Sequence, residues 1–107
     1  MSGQIYEQKA IIYKALAHPI RIQIVELLAD GEKGVSEIIQ RVGAKGSNTS
    51  RHLAVLKSSG VVRARKDGMN VYYELLMPCL VNMFSCVDNA LVEKARFHSE
   101  IAEKLSL

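Results

Sequence analysis

The chain has no apolar run approaching the ~20 residues that a bilayer-spanning helix needs. Its opening residues, MSGQIYEQKA, lack the layout of a secretory signal. A cytoplasmic protein with no membrane partner is the expectation. Only two cysteines are present, Cys79 and Cys86, seven positions apart. They are too few and too close together for the disulfide framework of a small secreted domain, so free thiols are expected. No internal repeat, low-complexity tract or long linker interrupts the 107 residues, a length with room for one hydrophobic core. The expected organisation is one domain across residues 1–107. Enzyme signatures are also missing: there is no Cys-x-x-Cys, phosphate loop, nucleophile elbow or credible carboxylate pair. The reading is of a non-enzyme that requires no cofactor.

The most informative absence is of acidic residues between Arg41 and Lys66. That segment holds Arg41, Lys45, Arg51, Lys57, Arg63, Arg65 and Lys66. The other 81 residues hold seven lysines and arginines against all eleven carboxylates, so a segment of +7 sits on a body of −4. Such an asymmetry points to a polyanionic partner, the bland alternative being a solvated basic face.

Hydrophobic periodicity supplies the elements. Apolar residues at 5, 12, 13 and 16 predict a helix from Ile5 to Ala17 with one buried stripe. His18-Pro19 ends it, because the residue before proline is pushed out of the helical region, and Pro19 suits the first turn of the next helix. That second helix buries Ile20, Ile24, Leu27 and Leu28 and stops before Asp30-Gly31. Ser36 is read as the cap of a short third helix, Glu37 to Val42, and Ser47 as the cap of a fourth running to Ser59. Leu53 and Leu56 face inward from the fourth helix, leaving Asn48, Thr49, Arg51, His52 and Lys57 outside. From Val61 to Leu76 the period shortens to that of a β-hairpin turning at Asp67-Gly68. Beyond Pro78 a long helix resumes through Leu80, Phe84, Val87 and Leu91 to about Leu105. The fold class is mainly α with a small hairpin, a winged helix-turn-helix of order α-α-α-α-β-β-α.

The basic residues fall on the two parts that such a fold lays on DNA. A recognition helix enters the major groove with a first turn of short polar residues, here Ser47, Asn48, Thr49, Ser50, Arg51 and His52. Asn pairs with adenine and Arg with guanine, while Ser and Thr meet either a base edge or a phosphate. Ser47 has capping as its alternative role, and His52 has packing on the helix flank. Lys57 extends the basic face. On the hairpin, Arg63, Arg65 and Lys66 are placed on one face and at the turn, with Asn70 near them, for phosphate or minor-groove contact.

The stretches KALAHPIRIQIVELLADGE and SEIIQRVGAKGSNTSRHLAVLKSSGVVRARKDGMNVYYEL resemble the ArsR/SmtB family of small winged-helix repressors. The similarity covers roughly residues 10 to 76. It implies a homodimer held by the first and last helices, and a double-stranded operator released when a small inducer binds. The apolar content of the terminal helices supports a dimer independently: the last helix alone offers Leu80, Val81, Met83, Phe84, Val87, Leu91 and Phe97.

The metal-binding sets of the family are not matched. The third-helix cysteine pair falls near Gly34 and Ser36, and the last-helix zinc pattern, which Asp88 would start, meets Ala90 and Ile101 instead. His98 is isolated. Cys79 and Cys86 remain. On one helix they lie within about 20° of the same face but roughly 10 Å apart along the axis, too far for a direct disulfide. Paired antiparallel helices of a dimer, or a helix beginning after Cys79, would bring two thiols together for arsenite, another soft ion, or a sulfur or redox species. The alternatives are two small packing residues in a constitutive regulator with no inducer, or a winged module that binds only protein. The latter calls for a less polar and less basic fourth helix.

Overall fold

The computed structural model describes residues 2–106. Helix α1 (Ser2–Leu16) packs its last turn, Ala15 and Leu16, into the core. His18 is extended, at φ −152° and ψ 134°, and its Nδ1 accepts the Ile20 N–H at 3.1 Å. The residue before proline thus ends one helix and caps the next, α2 (Pro19–Leu28). Ile24, Val25 and Leu28 of α2 are buried, whereas Ile20 and Leu27 lie at the edge of the core.

Two features differ from the sequence reading. A short strand, β1 (Lys33–Gly34), precedes α3 (Val35–Arg41) and pairs with the hairpin, giving a three-stranded antiparallel sheet of order β1-β3-β2. Because that ladder runs through Gly34, the helix begins at once behind it. Gly34 is the cap residue and Ser36 lies inside the first turn, so Ser36 is not the cap. Helix α4 (Gly46–Ser58) likewise starts two residues early: Lys45 is its cap residue, no side chain caps it, and Ser47 is an exposed first-turn residue.

The end of α4 governs where the hairpin begins. Gly60, at φ 86°, adopts the left-handed conformation favoured by glycine. Its N–H bonds to the Lys57 carbonyl at 3.1 Å and the Val61 N–H to the Leu56 carbonyl at 3.0 Å. This is a Schellman closure, and its usual apolar contact is supplied by Leu56 and Val61, both fully buried. Strands β2 (Val62–Asp67) and β3 (Asn70–Leu75) follow, joined at Gly68-Met69. Gly68 has φ 64° and Met69 does not share the positive φ, as in a type II′ turn.

Helix α5 (Leu80–Leu105) reaches the core only through Leu80 and Phe84. The buried apolar residues form one cluster around Ile24, Ile38, Leu53 and Leu56. From Ser85 to Ser106 every residue is exposed. Among the described residues, no helix is long and apolar enough to cross a membrane.

Candidate nucleic-acid interface

Helix α4 follows α3 after a short turn braced from α2: the Gly43 N–H bonds to Gln23 Oε1 at 3.3 Å. Ser47, Asn48, Ser50, Arg51 and Lys57 are exposed along α4. Thr49 is not, and the expectation that it faces outward is corrected. It is fully buried, and the Lys45 carbonyl accepts its hydroxyl at 3.1 Å and its N–H at 2.8 Å. The cause is legible in the spacing, because 49, 53 and 56 follow the i, i+4, i+7 stripe of the helix's buried face.

His52 is half-buried, and its ring centroid lies 4.2 Å from that of His18 with a 42° tilt. The geometry matches packing on the helix flank. Its Nδ1 is buried without a hydrogen-bond partner, as is Arg21 Nε. Burial first, then the nearby His18, Arg21 and Arg51, hold the His52 pKa below the ordinary imidazole value.

On the hairpin, Arg63 stands opposite Glu74 and Arg65 opposite Tyr72, two positions apart and therefore on one face. Lys66, opposite Val71, lies on the other face, which corrects its placement with the two arginines. Nor are these arginines unengaged. Arg63 bonds to Glu74 at 3.0 Å. Arg65 donates to both oxygens of Glu32, from Nε at 3.1 Å and from Nη2 at 2.7 Å, and its guanidinium sits 4.8 Å from the centre of the Tyr72 ring. The paired Arg65 holds the Glu32 carboxyl below its usual range, and Glu32 in turn raises the Arg65 pKa. Lys66 and Asn70 are exposed.

Three residues of this surface escape the sequence reading: Gln23, Glu32 and Tyr72. Glu32 sits 33 positions from its partner, and only the unforeseen strand β1 brings the two together. Tyr72 was legible as a strand residue but not as the platform under Arg65.

Cys79 occupies the cap position of α5 and Cys86 lies within that helix; both are exposed. Among the described residues, no group of three histidine, cysteine or carboxylate side chains is placed to hold a metal ion.

The geometry of helix-turn-helix and hairpin has counterparts among known proteins. Residues 18–64 match the model of the bacterial regulatory proteins of the arsR family. The uncharacterized HTH-type transcriptional regulator Rv0081 of Mycobacterium tuberculosis is 38% identical over 91 residues, covering 84% of this chain and 80% of that protein. Its crystal structure superposes with a TM-score of 0.74 at 36% identity, covering 88% of this chain and 95% of that one. The solution structure of the homodimeric winged helix-turn-helix DNA-binding domain Mb0332 from Mycobacterium bovis gives a TM-score of 0.75 at 33% identity, with coverage of 90% and 89%. For the transcriptional repressor BigR of Xylella fastidiosa the values are 0.71 and 30%, with coverage of 80% and 91%. With a helical hairpin for DNA, a wing beside it and these relatives, the chain belongs to the ArsR family of bacterial winged helix-turn-helix transcriptional regulators, DNA-binding proteins rather than enzymes.

Proposed function

We propose that the chain is a homodimeric repressor that grips a two-fold operator in duplex DNA. Ser47, Asn48, Ser50 and Arg51 of α4 meet base edges and phosphates of the major groove, and Lys57 and the hairpin cations Arg63, Arg65 and Lys66 meet the flanking backbone. The observation that supports this most is the mechanical join between the two cationic elements. The Leu56–Val61 closure lets α4 pass directly into β2, so Arg51 and the wing arginines sit on two directly joined elements.

The dimer rests on shape and apolar surface. The radius of gyration is 17.4 Å, against ~13 Å for a compact chain of about 100 residues. An open apolar cleft between α1, α2 and α5 is walled by Tyr13, Ile22, Met83, Phe84, Val87 and Leu91. A second copy covering this cleft and the exposed length of α5 gives two recognition helices for major grooves about 34 Å apart. Binding to DNA from upstream of the protein's own gene, titrated beside a scrambled duplex over a range of salt, tests the reading. Tight, salt-sensitive binding that prefers the native sequence is expected. Equal binding to both duplexes rejects sequence-specific repression, and no binding at low salt rejects the interface.

A second reading concerns release, and the exposure of both thiols favours it. Cys79 caps α5 with helical backbone, at φ −61° and ψ −19°, so it lies roughly 10 Å from Cys86 along the axis, beyond the span of a disulfide. A bridge therefore requires the first turn of α5 to open, or the two thiols to come from different protomers. A sulfur oxidant would accept two electrons from the pair while two protons leave; arsenite, as As(OH)3, would instead exchange two hydroxyls for the two sulfurs, the thiol protons leaving with them as two waters. Either event acts on α5, the helix that the dimer shares. Cys79→Ser and Cys86→Ser should keep DNA affinity and lose release by arsenite or persulfide. A double variant that is still released rejects the thiol reading and leaves a constitutive regulator or another inducer.

A further inference from the structure

The guanidinium of Arg65 is held along one edge and on one face. Glu32 takes the Nε and Nη2 hydrogens in a two-pronged bond. The Tyr72 ring supports its face, and Tyr72 is itself held in the sheet as the register partner of Gly34 on β1. Asp67 Oδ2 stands 3.9 Å from Nη1, too long for a strong bond. A guanidinium carries five N–H groups in a rigid plane. Glu32 uses two of them, leaving both Nη1 hydrogens and one on Nη2, the edge that matches two oxygens of a phosphodiester. Arg63, by contrast, makes a single contact with the strand partner directly across from it.

We propose that Glu32 is a positioning residue for DNA binding, locking Arg65 on the Gly34–Tyr72 platform so that its outer Nη1/Nη2 edge is presented, already oriented, to a backbone phosphate. A carboxylate at a DNA-binding surface repels phosphates, so on charge alone its removal strengthens binding. Positioning has the opposite sign. A loose arginine must lose rotamer freedom on binding, whereas one fixed beforehand does not. The two effects therefore separate in one measurement.

The inference rests on the reading that the wing touches DNA, and the experiment keeps the two apart. Duplex affinity at fixed salt is measured for Glu32→Gln and Arg65→Lys, for the double variant, and for Arg65→Gln, with thermal unfolding of each. Glu32→Gln should weaken binding about three- to tenfold, the scale of one net hydrogen bond, and should have no weakening effect in the Arg65→Lys background, where the two-pronged bond is already lost. If Glu32→Gln strengthens binding or leaves it unchanged, the carboxylate is only a screening charge and the inference is overturned. Equal weakening in both backgrounds overturns it as well, since Glu32 would then act through the fold and not through Arg65. An Arg65→Gln variant with undiminished affinity would remove the wing contact itself, a failure of the underlying reading that is distinct from the first two.

Discussion

The imidazole of His52, on the recognition helix, lies 4.2 Å from that of His18, which caps α2. The pair ties the DNA-facing helix to the corner between α1 and α2. His18 Nδ1 also accepts the Ile20 N–H at 3.1 Å, fixing its ring at that corner. A proton on His52 enters a half-buried site bordered by Arg21 and Arg51.

The pH dependence follows from that arrangement. Folding lowers the His52 pKa, so between the folded value and the unfolded value of about 6.5 the unfolded chain binds more protons. Stability from this group is complete above that window and is lost as pH falls through it. Melting temperatures measured from pH 7.5 downward should fall less steeply for His52→Gln than for the native chain. Parallel slopes would show that His52 is not the titrating group.

Thr49 and Arg51 separate core from interface on a single helix. Thr49→Val removes a hydroxyl whose acceptor, the Lys45 carbonyl, keeps its backbone partner. Its expected cost is about 1 kcal/mol of stability or less, with unchanged DNA affinity. Arg51→Ala, fully on the surface, should do the reverse: an unaltered melting temperature and weakened binding. Loss of sequence preference in a well-folded Thr49→Val protein would return Thr49 to the interface.

Most of this architecture was legible in the chain because local signals agreed with the tertiary outcome. His18-Pro19 and Gly60 mark breaks that the backbone does make, and the long apolar period after Pro78 does become α5, whereas the hairpin turns one residue later than Asp67-Gly68, at Gly68-Met69, because Asp67 still pairs with Asn70. What was not legible depends on partners distant in sequence. Two residues, Lys33 and Gly34, carry no strand periodicity, and they become β1 only because Tyr72 and Tyr73 arrive beside them. With β1 hidden, Ser36 looked like a cap and Glu32 like a loop residue. Ser47 looked like a cap for a simpler reason: serine favours that position, but Lys45 is the residue with extended backbone there.

The wing makes a claim about salt. Arg63 makes one bond to a carboxylate on the exposed surface, a pair weak enough to be exchanged for a phosphate contact, whereas Arg65 keeps Glu32 and offers phosphate its remaining N–H groups. Arg63→Ala and Arg65→Ala should each weaken binding to all duplexes similarly and reduce the slope of log affinity against log salt by about one. Slopes identical to that of the native chain would take the hairpin off the DNA.

The terminal helix offers the sharpest test of assembly. Leu91 is 56% exposed and lies beyond the last core contact of α5, so Leu91→Asp leaves the hydrophobic cluster intact, and surface changes of that kind usually cost within about 0.5 kcal/mol of monomer stability. If α5 and the cleft beside it are covered by a second copy, the same substitution places a charge in an apolar interface, where an unpaired carboxylate is costly. Sedimentation should then show a monomer where the native chain is a dimer, with helix content preserved. Operator affinity should drop, because one recognition helix alone holds one half-site. A Leu91→Asp protein that still sediments as a dimer would place the interface elsewhere. A native chain that sediments as a monomer at micromolar concentration, yet binds its operator tightly, would show that the apolar length of α5 serves some purpose other than self-association.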